Sequence, residues 1–442
     1  MLSRSRIALA IVLAACLTAC LTPKTSTAYI WADPTRLATL DTTGALQDEW
    51  KQISATARVL LGKGNVSGSL VTDTIPNLNQ GQGDRAHVMV LAKAIYYART
   101  GNALFKNEAE RILMRAIGSE RSPNARTLDL GRYLPGYCMA YDIIGGLSAG
   151  NDTTWTRWLY NTVLAKGWSS SPEDGSLRGT ARFRANNWGA FSVSAITAAG
   201  CLLDQKGVYA DSAAAWKALG WEMYQDYCGR FPAQIMNYST SAGFKTSDSP
   251  ASSDQRSELY APKVIRAASP TWDSLRPINP ACLLTPDEDN IERNLDGAII
   301  DDMSRTEDAN ASGVPWPLAT NAAASGAHYM QDSWVAMVVT AEILFNSGYT
   351  TAWSVQNEAV RRVTDCLWRL ANDVQGPGGD HWWPDDVIPE GEGHQAGYVI
   401  PLINKRYGTS YPWNQPSGCG APSCSAGPGG FISGRWVAWT HQ

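Results

Sequence analysis

The sequence predicts an all-α fold in which antiparallel helix pairs form an (α/α) toroid or incomplete barrel with long groove-lining loops. Apolar residues recur at helical spacing through most of the 442-residue chain, whereas alternating strand patterns are scarce and short. Short glycine-containing turns separate successive helical segments, and no heptad stripe runs along them. These features favour packed helix pairs over a coiled coil.

The chain begins with the pattern of a bacterial targeting segment. Arg4 and Arg6 precede a short apolar run over 7–17, which is too short to cross a bilayer in a mature protein. The following L-T-A-C is typical of a lipobox, in which Cys20 would carry the lipid. We therefore expect an exported lipoprotein of the periplasm or outer membrane. Plain secretion after cleavage near Ala28 is the alternative.

This leader sets the domain organisation that we expect. A lipoprotein signal peptide over 1–20 is followed by a tether over 21–37 and by a single toroid domain over 38–442. The Gly/Pro/Ser-rich stretch 411–442 is interpreted as an ordered cap of that domain. Contact with a membrane is expected only through the N-terminal lipid anchor.

The helices of the domain are predicted from apolar periodicity and from stop signals such as glycine. They cover residues 84–100, 103–117, 130–144, 152–166, 188–203, 210–231, 328–346, 351–374 and 393–407. Irregular stretches lie between some of these helices, at 168–184, 237–260, 264–290 and 310–326. Because long loops in a compact domain are commonly functional, we expect them to wall a groove at one end of the toroid.

The composition narrows the class of partner. The net charge is -4, from 37 Lys and Arg residues against 41 Asp and Glu residues, and no run of basic residues indicates a nucleic-acid face. The chain also holds 18 Trp and 17 Tyr residues. Most of them should lie in the core, but aromatic rings also suit the apolar faces of sugars.

The cysteines indicate disulfide bonding rather than a metal site. Two of the nine belong to the signal peptide, which leaves seven that an exported protein can oxidise. Cys419 and Cys424 flank a turn and are the best local pair, while the pairing of the other five stays open. No Cys-x-x-Cys or His-x-x-x-His spacing indicates a metal site.

A first polar segment, R-A-N-N-W-G, opens one of the apolar helices. Asparagine is a favoured N-cap, so we expect one of Asn186 and Asn187 to cap this helix. The other amide would point into the groove, where it can hydrogen-bond a carboxylate and stabilise charge that develops on it. Asn186 and the nearby Arg184 and Trp188 are candidate substrate-binding residues.

A second polar segment runs from L-D-G-A-I-I-D-D-M-S-R to S-G-A-H-Y-M-Q-D-S-W. Arg305 is either a surface ion-pair residue or a guanidinium that grips a carboxylate. His328 and Asp332 are four residues apart, so Asp332 could orient His328, or the two could form a solvated contact. Tyr329 is either a core aromatic or a group that gives and takes a proton.

Three further residues are candidates for binding substrate. Arg132 lies within L-G-R-Y-L-P-G-Y, His87 lies in a helix as core or groove wall, and His394 lies near loop acids. Together, the candidate residues supply Asn, Arg, His and Tyr. Those are the side chains that removal of a proton beside a sugar carboxylate requires.

In their order along the chain, these segments resemble the alginate lyase superfamily, the group with an (α/α) toroid that includes polysaccharide lyase family five. G-D-R-A-H-V-M-V-L-A-K-A-I-Y-Y-A-R-T-G-N is similar to its early helix and L-G-R-Y-L-P-G-Y-C-M-A-Y-D-I-I to a middle one. N-N-W-G-A-F resembles the family's N-N-H segment, and D-G…R…H-Y…A-E-I-L-F-N-S-G its Arg/Tyr segment. The resemblance implies a carbon-oxygen lyase that acts on an acidic polysaccharide and requires no metal or redox cofactor.

The resemblance also implies roles for individual residues. Asn187 and Arg305 would neutralise the carboxylate of the uronic acid, and Tyr329 would handle protons. The family has His after the second Asn, where this chain has Trp188. Either Tyr329 therefore serves as both base and acid, or His328 abstracts the proton.

Two other functions fit the same residues. A glycoside hydrolase on an (α/α) toroid would need two carboxylates across the scissile bond, and Asp301, Asp302, Glu307 and Asp308 are available. A lipid-anchored glycan-binding protein without catalysis would fit the tryptophan at position 188.

Overall fold

The computed structural model describes residues 29–59, 86–118, 127–164, 176–183, 186–238, 323–372, 396–411 and 436–442. Helices make up 80% of this part of the chain, and no residue within these ranges lies in a strand. The predicted all-α class is therefore confirmed for the described ranges. None of the helices described is both long and apolar enough to span a membrane.

The α-helices are numbered here in chain order. They are α1 (Pro34–Leu37), α2 (Gln47–Ala57), α3 (Ala86–Thr100), α4 (Ala103–Arg115), α5 (Thr127–Ile143), α6 (Ala149–Trp158), α7 (Leu177–Phe183), α8 (Asn187–Gln205), α9 (Ala210–Tyr238), α10 (Ala323–Asn346), α11 (Val355–Asn372), α12 (Ile400–Tyr407) and α13 (Val437–Thr440). A π-helix over Leu159–Leu164 continues α6. Short 3-10 helices cover Gly44–Leu46, Ala352–Ser354 and Ala396–Val399.

Helices α5 and α8 lie in the interior of the molecule. Every residue of α5 is buried, and α8 is apolar on nearly all sides. A helix of this composition needs neighbours all round, and α8 packs against α5, α7, α9 and α10. Helix α4 differs, because Phe105, Ala109 and Ile112 form one buried stripe while Leu104 is half exposed.

The interior helices α5, α8 and α10 run in the same direction. Near the starts of α5 and α8, a Cβ added at Gly131 would lie only 2.7 Å from the Cβ of Phe191. At their ends, Gln205 Nε2 donates to Asp142 Oδ1 at 2.9 Å. The C-terminal ends of α5 and α10 both contact the segment at Ile30 and Trp31, so α10 runs in the same direction as α5. Helix α3 meets α5 at the starting end, through the contact of the His87 ring with an α5 tyrosine.

Helix α9 runs antiparallel to α8. Early in α9, the backbone at Lys217 lies 2.7 Å from where a Cβ of Gly200 would be, close to the end of α8. Late in α9, the Tyr227 hydroxyl donates to the carbonyl oxygen of Asn186, just before α8 begins. Antiparallel pairing of neighbours in sequence, as predicted, is therefore present for α8 and α9.

The N-terminal segment packs at the far ends of α5 and α10. Ile30 N donates to Asp142 Oδ2 at 2.9 Å, and Asn346 Nδ2 donates to the carbonyl oxygen of Trp31 at 2.9 Å. His441 Nε2 lies 3.2 Å from the same carbonyl oxygen. Both chain termini that the structure describes therefore meet at this end of the interior helices.

Glu342 joins these segments into a cluster that we call the terminal clasp, which comprises Trp31, Glu342, Asn346, Arg406 and His441. The Glu342 carboxylate accepts from Arg406 Nε at 2.8 Å and also from Arg406 Nη2. His441 Nε2 lies 3.6 Å from it. Burial lowers the pKa of His441 to about 4, so its ring is neutral at pH 7.

The observed helices differ from the predicted ones mainly at their ends. In the region predicted as a helix over 351–374, Gln356, Asn357 and Glu358 adopt left-handed φ values of 51–59°. Left-handed backbone is costly for residues other than glycine. The apolar pattern of this segment predicts a regular right-handed helix, so it gives no sign of the left-handed residues. Within the predicted tether, Ile30 and Trp31 are each only 1% exposed, so the described part of that segment packs against the domain.

Candidate functional site

The two adjacent asparagines have different environments at the start of α8. Asn186 is the N-cap, because its Oδ1 accepts a hydrogen bond from Trp188 N at 3.0 Å. Asn187 is the first residue of the helix, and its side chain turns inward, where it is 1% exposed. The capping role that the sequence left open between the two thus belongs to Asn186.

Asn187 belongs to a buried polar group that we call the Asp332 cluster, made of Arg132, Asn187 and Asp332. Arg132 Nη2 lies 2.8 Å from Asp332 Oδ2, and Asn187 Nδ2 donates to the same oxygen at 3.3 Å. Arg132 is 5% exposed and Asp332 is 6% exposed. Three interior helices, α5, α8 and α10, therefore each contribute one polar side chain to a single point.

The burial of Asp332 corrects one interpretation of the sequence. A solvated contact of Asp332 with His328 was one of two alternatives, and it is wrong because Asp332 is buried against two other helices. The alternative that Asp332 orients His328 stays a prediction. The backbone at residues 328 and 329 belongs to α10, but both side chains lie outside the described residues.

Positions 328 and 329 lie close to the Asp332 cluster along α10. They precede Asp332 by four and three residues, which corresponds to about one helical turn, or roughly 4.5–6 Å along the axis. The two proton-transfer candidates are therefore carried on the same helix, one turn from the buried carboxylate.

Aromatic side chains surround the cluster. The guanidinium of Arg132 lies 5.2 Å from the ring centroid of Phe191, within the range of a cation–π contact. Trp188 is half-buried in the first turn of α8. The Tyr227 hydroxyl, which donates to Asn186 O at 3.2 Å, also lies 3.3 Å from Ser333 Oγ. Tyr227 thus joins α9 to the residues that adjoin Asn187 and Asp332 in sequence, which no local pattern in the sequence indicated.

His87 lies at the same end of the interior helices but has a different neighbour. Its ring centroid is 4.5 Å from that of Tyr133, which directly follows Arg132 in α5. His87 is buried, as expected for a core or groove-wall residue. The structure therefore places His87 against Tyr133 of α5, the residue that follows Arg132 in the sequence.

The remaining predicted residues lie outside the part of the chain that the structure describes. They are Cys20, Arg184, Arg305, His394, Cys419 and Cys424. Their proposed roles stay predictions.

The chemistry of the Asp332 cluster is that of carboxylate recognition. A guanidinium and a carboxamide both offer N–H donors, and they already converge on one carboxylate oxygen. Charge-assisted contacts of this kind are stronger than neutral ones and favour planar anions. Among the described residues, no group of three or more His, Cys, Asp or Glu side chains is placed to hold a metal ion.

No protein-family model matches the chain, and the comparisons with curated proteins and with solved structures gave no match either. A functional assignment therefore depends on the chemistry of the residues in the site.

Proposed function

We propose that the protein is a polysaccharide lyase that cleaves a uronic-acid-containing polysaccharide, alginate-like or glucuronan-like, by β-elimination. The observation that carries this proposal is the convergence of Arg132 and Asn187 on Asp332, one helical turn from positions 328 and 329. An amide and a guanidinium thereby lie beside the helix segment that carries an imidazole and a phenol. β-Elimination next to a carboxylate needs these four kinds of group.

The helix arrangement supports an (α/α) toroid as the fold of this proposed enzyme. Parallel interior helices that alternate in sequence with outer antiparallel ones are what such a toroid requires. Helices α5, α8 and α10 are parallel to one another, and α9 between α8 and α10 is antiparallel to α8. The candidate residues then lie at the end where the interior helices begin, which is where the predicted loops would form a groove.

The proposed reaction divides the work between charge stabilisation and proton transfer. Asn187, with Arg305 or Arg132, would bind the uronate carboxylate and stabilise the negative charge that forms when C5 loses its proton. Tyr329 or His328 would take that proton. The electron pair then forms the C4–C5 double bond, the C4–O bond breaks, and the glycosidic oxygen takes up a proton from a phenol or water. Every group in this scheme is an amino-acid side chain or water.

The proposed location follows from the leader of the sequence. An exported lipoprotein, held at the periplasmic or outer membrane through Cys20, would meet acidic polysaccharides or oligosaccharides outside the cytoplasm. The described helices have no part in this proposal, because it depends on residues 1–20 alone.

The decisive experiment incubates the protein with a panel of uronate polymers and follows the absorbance of unsaturated uronates. We expect growth of this signal with at least one polymer. In that case, Arg305→Ala and Tyr329→Phe should each lower turnover by roughly a hundredfold, the usual scale for loss of a charge-stabilising or proton-transfer group. New reducing ends without the absorbance would instead indicate a hydrolase, and near-normal activity in both variants would remove the site assignment.

A second candidate function is glycan binding without catalysis. Trp188 favours it, because an indole in the first turn of α8 can stack on a sugar ring but cannot take a proton. Under this alternative, calorimetry would detect binding of a uronate oligosaccharide, while the absorbance of unsaturated uronates would not increase. Trp188→Ala would then weaken binding, by about 1 kcal/mol or more for a lost aromatic contact.

A further inference from the structure

We propose that Asp332 is the positioning residue of the site, which holds the Arg132 guanidinium and the Asn187 amide in the orientation that recognises a substrate carboxylate. This inference rests on the proposed lyase function and deepens it, because it states how the uronate is selected. Asp332 itself would not contact the reacting atoms.

The first argument is energetic. Two charges taken out of water lose much of their hydration, and a well-packed apolar pair is often as stable as a buried ion pair or more so. Arg132 and Asp332 are both almost completely buried, at the junction of three helices. An apolar pair at this point could therefore stabilise the packing of the three helices equally well. A carboxylate is needed only if the guanidinium of Arg132 must be held in one orientation.

The second argument is geometric. Arg132 and Asn187 both donate to the same atom, Asp332 Oδ2. The carboxylate therefore fixes the two side chains relative to each other. An amide side chain can rotate by half a turn and exchange its donor for its acceptor. A carboxylate accepts only, so it keeps the Nδ2 end of Asn187 directed into the cluster. One residue thus sets the position of two donors that belong to different helices.

The third argument concerns the place of Asp332 in α10. Residues four and three positions earlier are His328 and Tyr329, the proposed proton-transfer candidates. A rigid helix fixes their backbone relative to Asp332. Asp332 therefore relates the charge-stabilising donors of α5 and α8 to the proton-transfer segment of α10, and an error of 1 Å in such a relation can cost about a hundredfold in rate.

The experiment compares Asp332→Ala and Asp332→Asn with the wild-type protein on the polymer that gives the strongest absorbance signal. For Asp332→Ala we expect kcat to fall by roughly a hundredfold, with a smaller change in KM. Sodium formate, a small carboxylate that fits the vacated space, should raise both kcat and the melting temperature of this variant. Sodium chloride at the same ionic strength should do neither.

The double variant Arg132→Met/Asp332→Ala is the matched control for formate. It lacks the guanidinium, so formate should no longer raise its melting temperature. Glu342→Ala provides a second control, since it also removes a buried carboxylate from an arginine but lies at the other end of α10. Formate is expected to restore stability in that variant without any change in kcat per folded molecule.

Asp332→Asn keeps the test valid if Asp332→Ala does not fold, because it preserves volume and one acceptor oxygen. We expect a folded protein, by circular dichroism, with kcat lowered at least tenfold. Wild-type turnover in a folded Asp332→Asn variant would overturn the positioning role, as would formate that restores the fold of Asp332→Ala but not its kcat. A wild-type protein that cleaves no polymer would overturn the proposed function, and this inference with it.

Discussion

Two buried carboxylate–arginine pairs lie on the same helix but differ in what they connect. Asp332 and Glu342 are both in α10, ten residues or about 15 Å apart along its axis. Asp332 pairs with Arg132 of another interior helix, whereas Glu342 pairs with Arg406 of α12 near the C-terminal segment. Both carboxylates are almost completely buried.

The terminal clasp has the features of a device for stability. Glu342 receives both Nε and Nη2 of Arg406, and Trp353 Nε1 donates to it at 3.2 Å. Its other neighbours, Asn346 and His441, contact the carbonyl oxygen of Trp31. The clasp therefore ties the described segments at residues 29–31 and 436–442 to the interior, and the carboxylate serves mainly to hold them.

The contacts that define the Asp332 cluster within the described ranges lie between interior helices. The cluster joins the starting ends of α5 and α8 to α10, beside the segment that carries the proton-transfer candidates. Burial and an arginine partner are therefore not enough to tell a carboxylate that serves function from one that serves stability. The identity of the connected elements makes this distinction, and variants at the two ends should therefore differ in their effect on turnover.

The largest expected effect on stability is at the clasp. Glu342→Ala leaves the guanidinium of Arg406 without its carboxylate, and loss of one member of a buried pair costs about 3–5 kcal/mol. Urea unfolding followed by tryptophan fluorescence measures this loss. Turnover per folded molecule should stay at the wild-type level. A large fall in kcat under conditions where the variant is fully folded would contradict the assignment of the terminal clasp to stability alone.

The largest expected effect on activity alone is at Asn187. Asn187→Ala should lower kcat roughly a hundredfold, the scale seen when a donor to a developing negative charge is removed. Asn186→Ala is the matched control one residue away, because the Asn186 side chain caps α8 and loss of the cap should cost about 1 kcal/mol of stability. Steady-state kinetics on the responsive polymer measure both, and equal kcat values in the two variants would refute the distinction.

A pair of glycines tests whether the position of α5 matters to the site. Gly131→Ala places a Cβ against Phe191, and Gly200→Ala places one against the backbone of Lys217. Overpacking of this kind costs about 1–3 kcal/mol, so both variants should unfold at lower urea concentration. Only Gly131→Ala should also lower kcat, because residue 131 precedes Arg132. A matching loss of kcat in Gly200→Ala would indicate a general effect of reduced stability.

The last expected effect is a pH dependence of the free energy of unfolding, at the contact between Glu49 and the C-terminal segment. Burial raises the pKa of Glu49 to about 7 from its usual 4.5, although Trp439 N donates to the carboxylate at 2.7 Å. The folded state therefore binds this proton more tightly than the unfolded state. The stabilisation is complete below pH 4.5 and is lost as the pH rises through about 7. The free energy of unfolding of the wild type, relative to Glu49→Gln, should thus be larger at pH 5 than at pH 8.

Glu110→Gln is the control for this pH dependence. Burial tends to raise the pKa of Glu110, but hydrogen bonds from Ser148 and Asn151 outweigh it and keep the pKa below its usual value. Glu110 is therefore ionised from pH 5 to pH 8 in the folded and largely also in the unfolded state. The difference between wild type and Glu110→Gln should change little over this range, and a change as large as that for Glu49 would contradict the assignment.

Local patterns in the sequence account for most of the fold that is described. The apolar periodicity that predicts helices over 188–203 and 103–117 is read from neighbouring residues, and α8 and α4 lie there. The asparagine cap of α8 is likewise a contact between residues two apart. The left-handed turn at Gln356 and its neighbours was not predictable, because its cost is offset by packing that a local pattern does not contain.

The residues of the candidate site could be predicted only in part from local patterns in the sequence. Asn187 and Arg132 were chosen for their chemical type, and the structure brings them together. The contact of Asp332 with Arg132 could not be predicted from local spacing, because the two residues are 200 positions apart in the sequence. Tyr227 was missed for the same reason, since its hydroxyl bonds to a backbone atom 41 residues away.

The sequence by itself determined the helical class, the apolar character of α8, and the presence of a capping asparagine before α8. These properties depend on side chains within a few residues of one another, whose spacing repeats with the helix. Only the tertiary structure decided that Arg132 and Asn187 share one carboxylate oxygen, and that Trp31 meets His441 across 410 residues. Contacts at such separation arise from the packing of whole helices, and the arrangement of those helices is not encoded in any single segment.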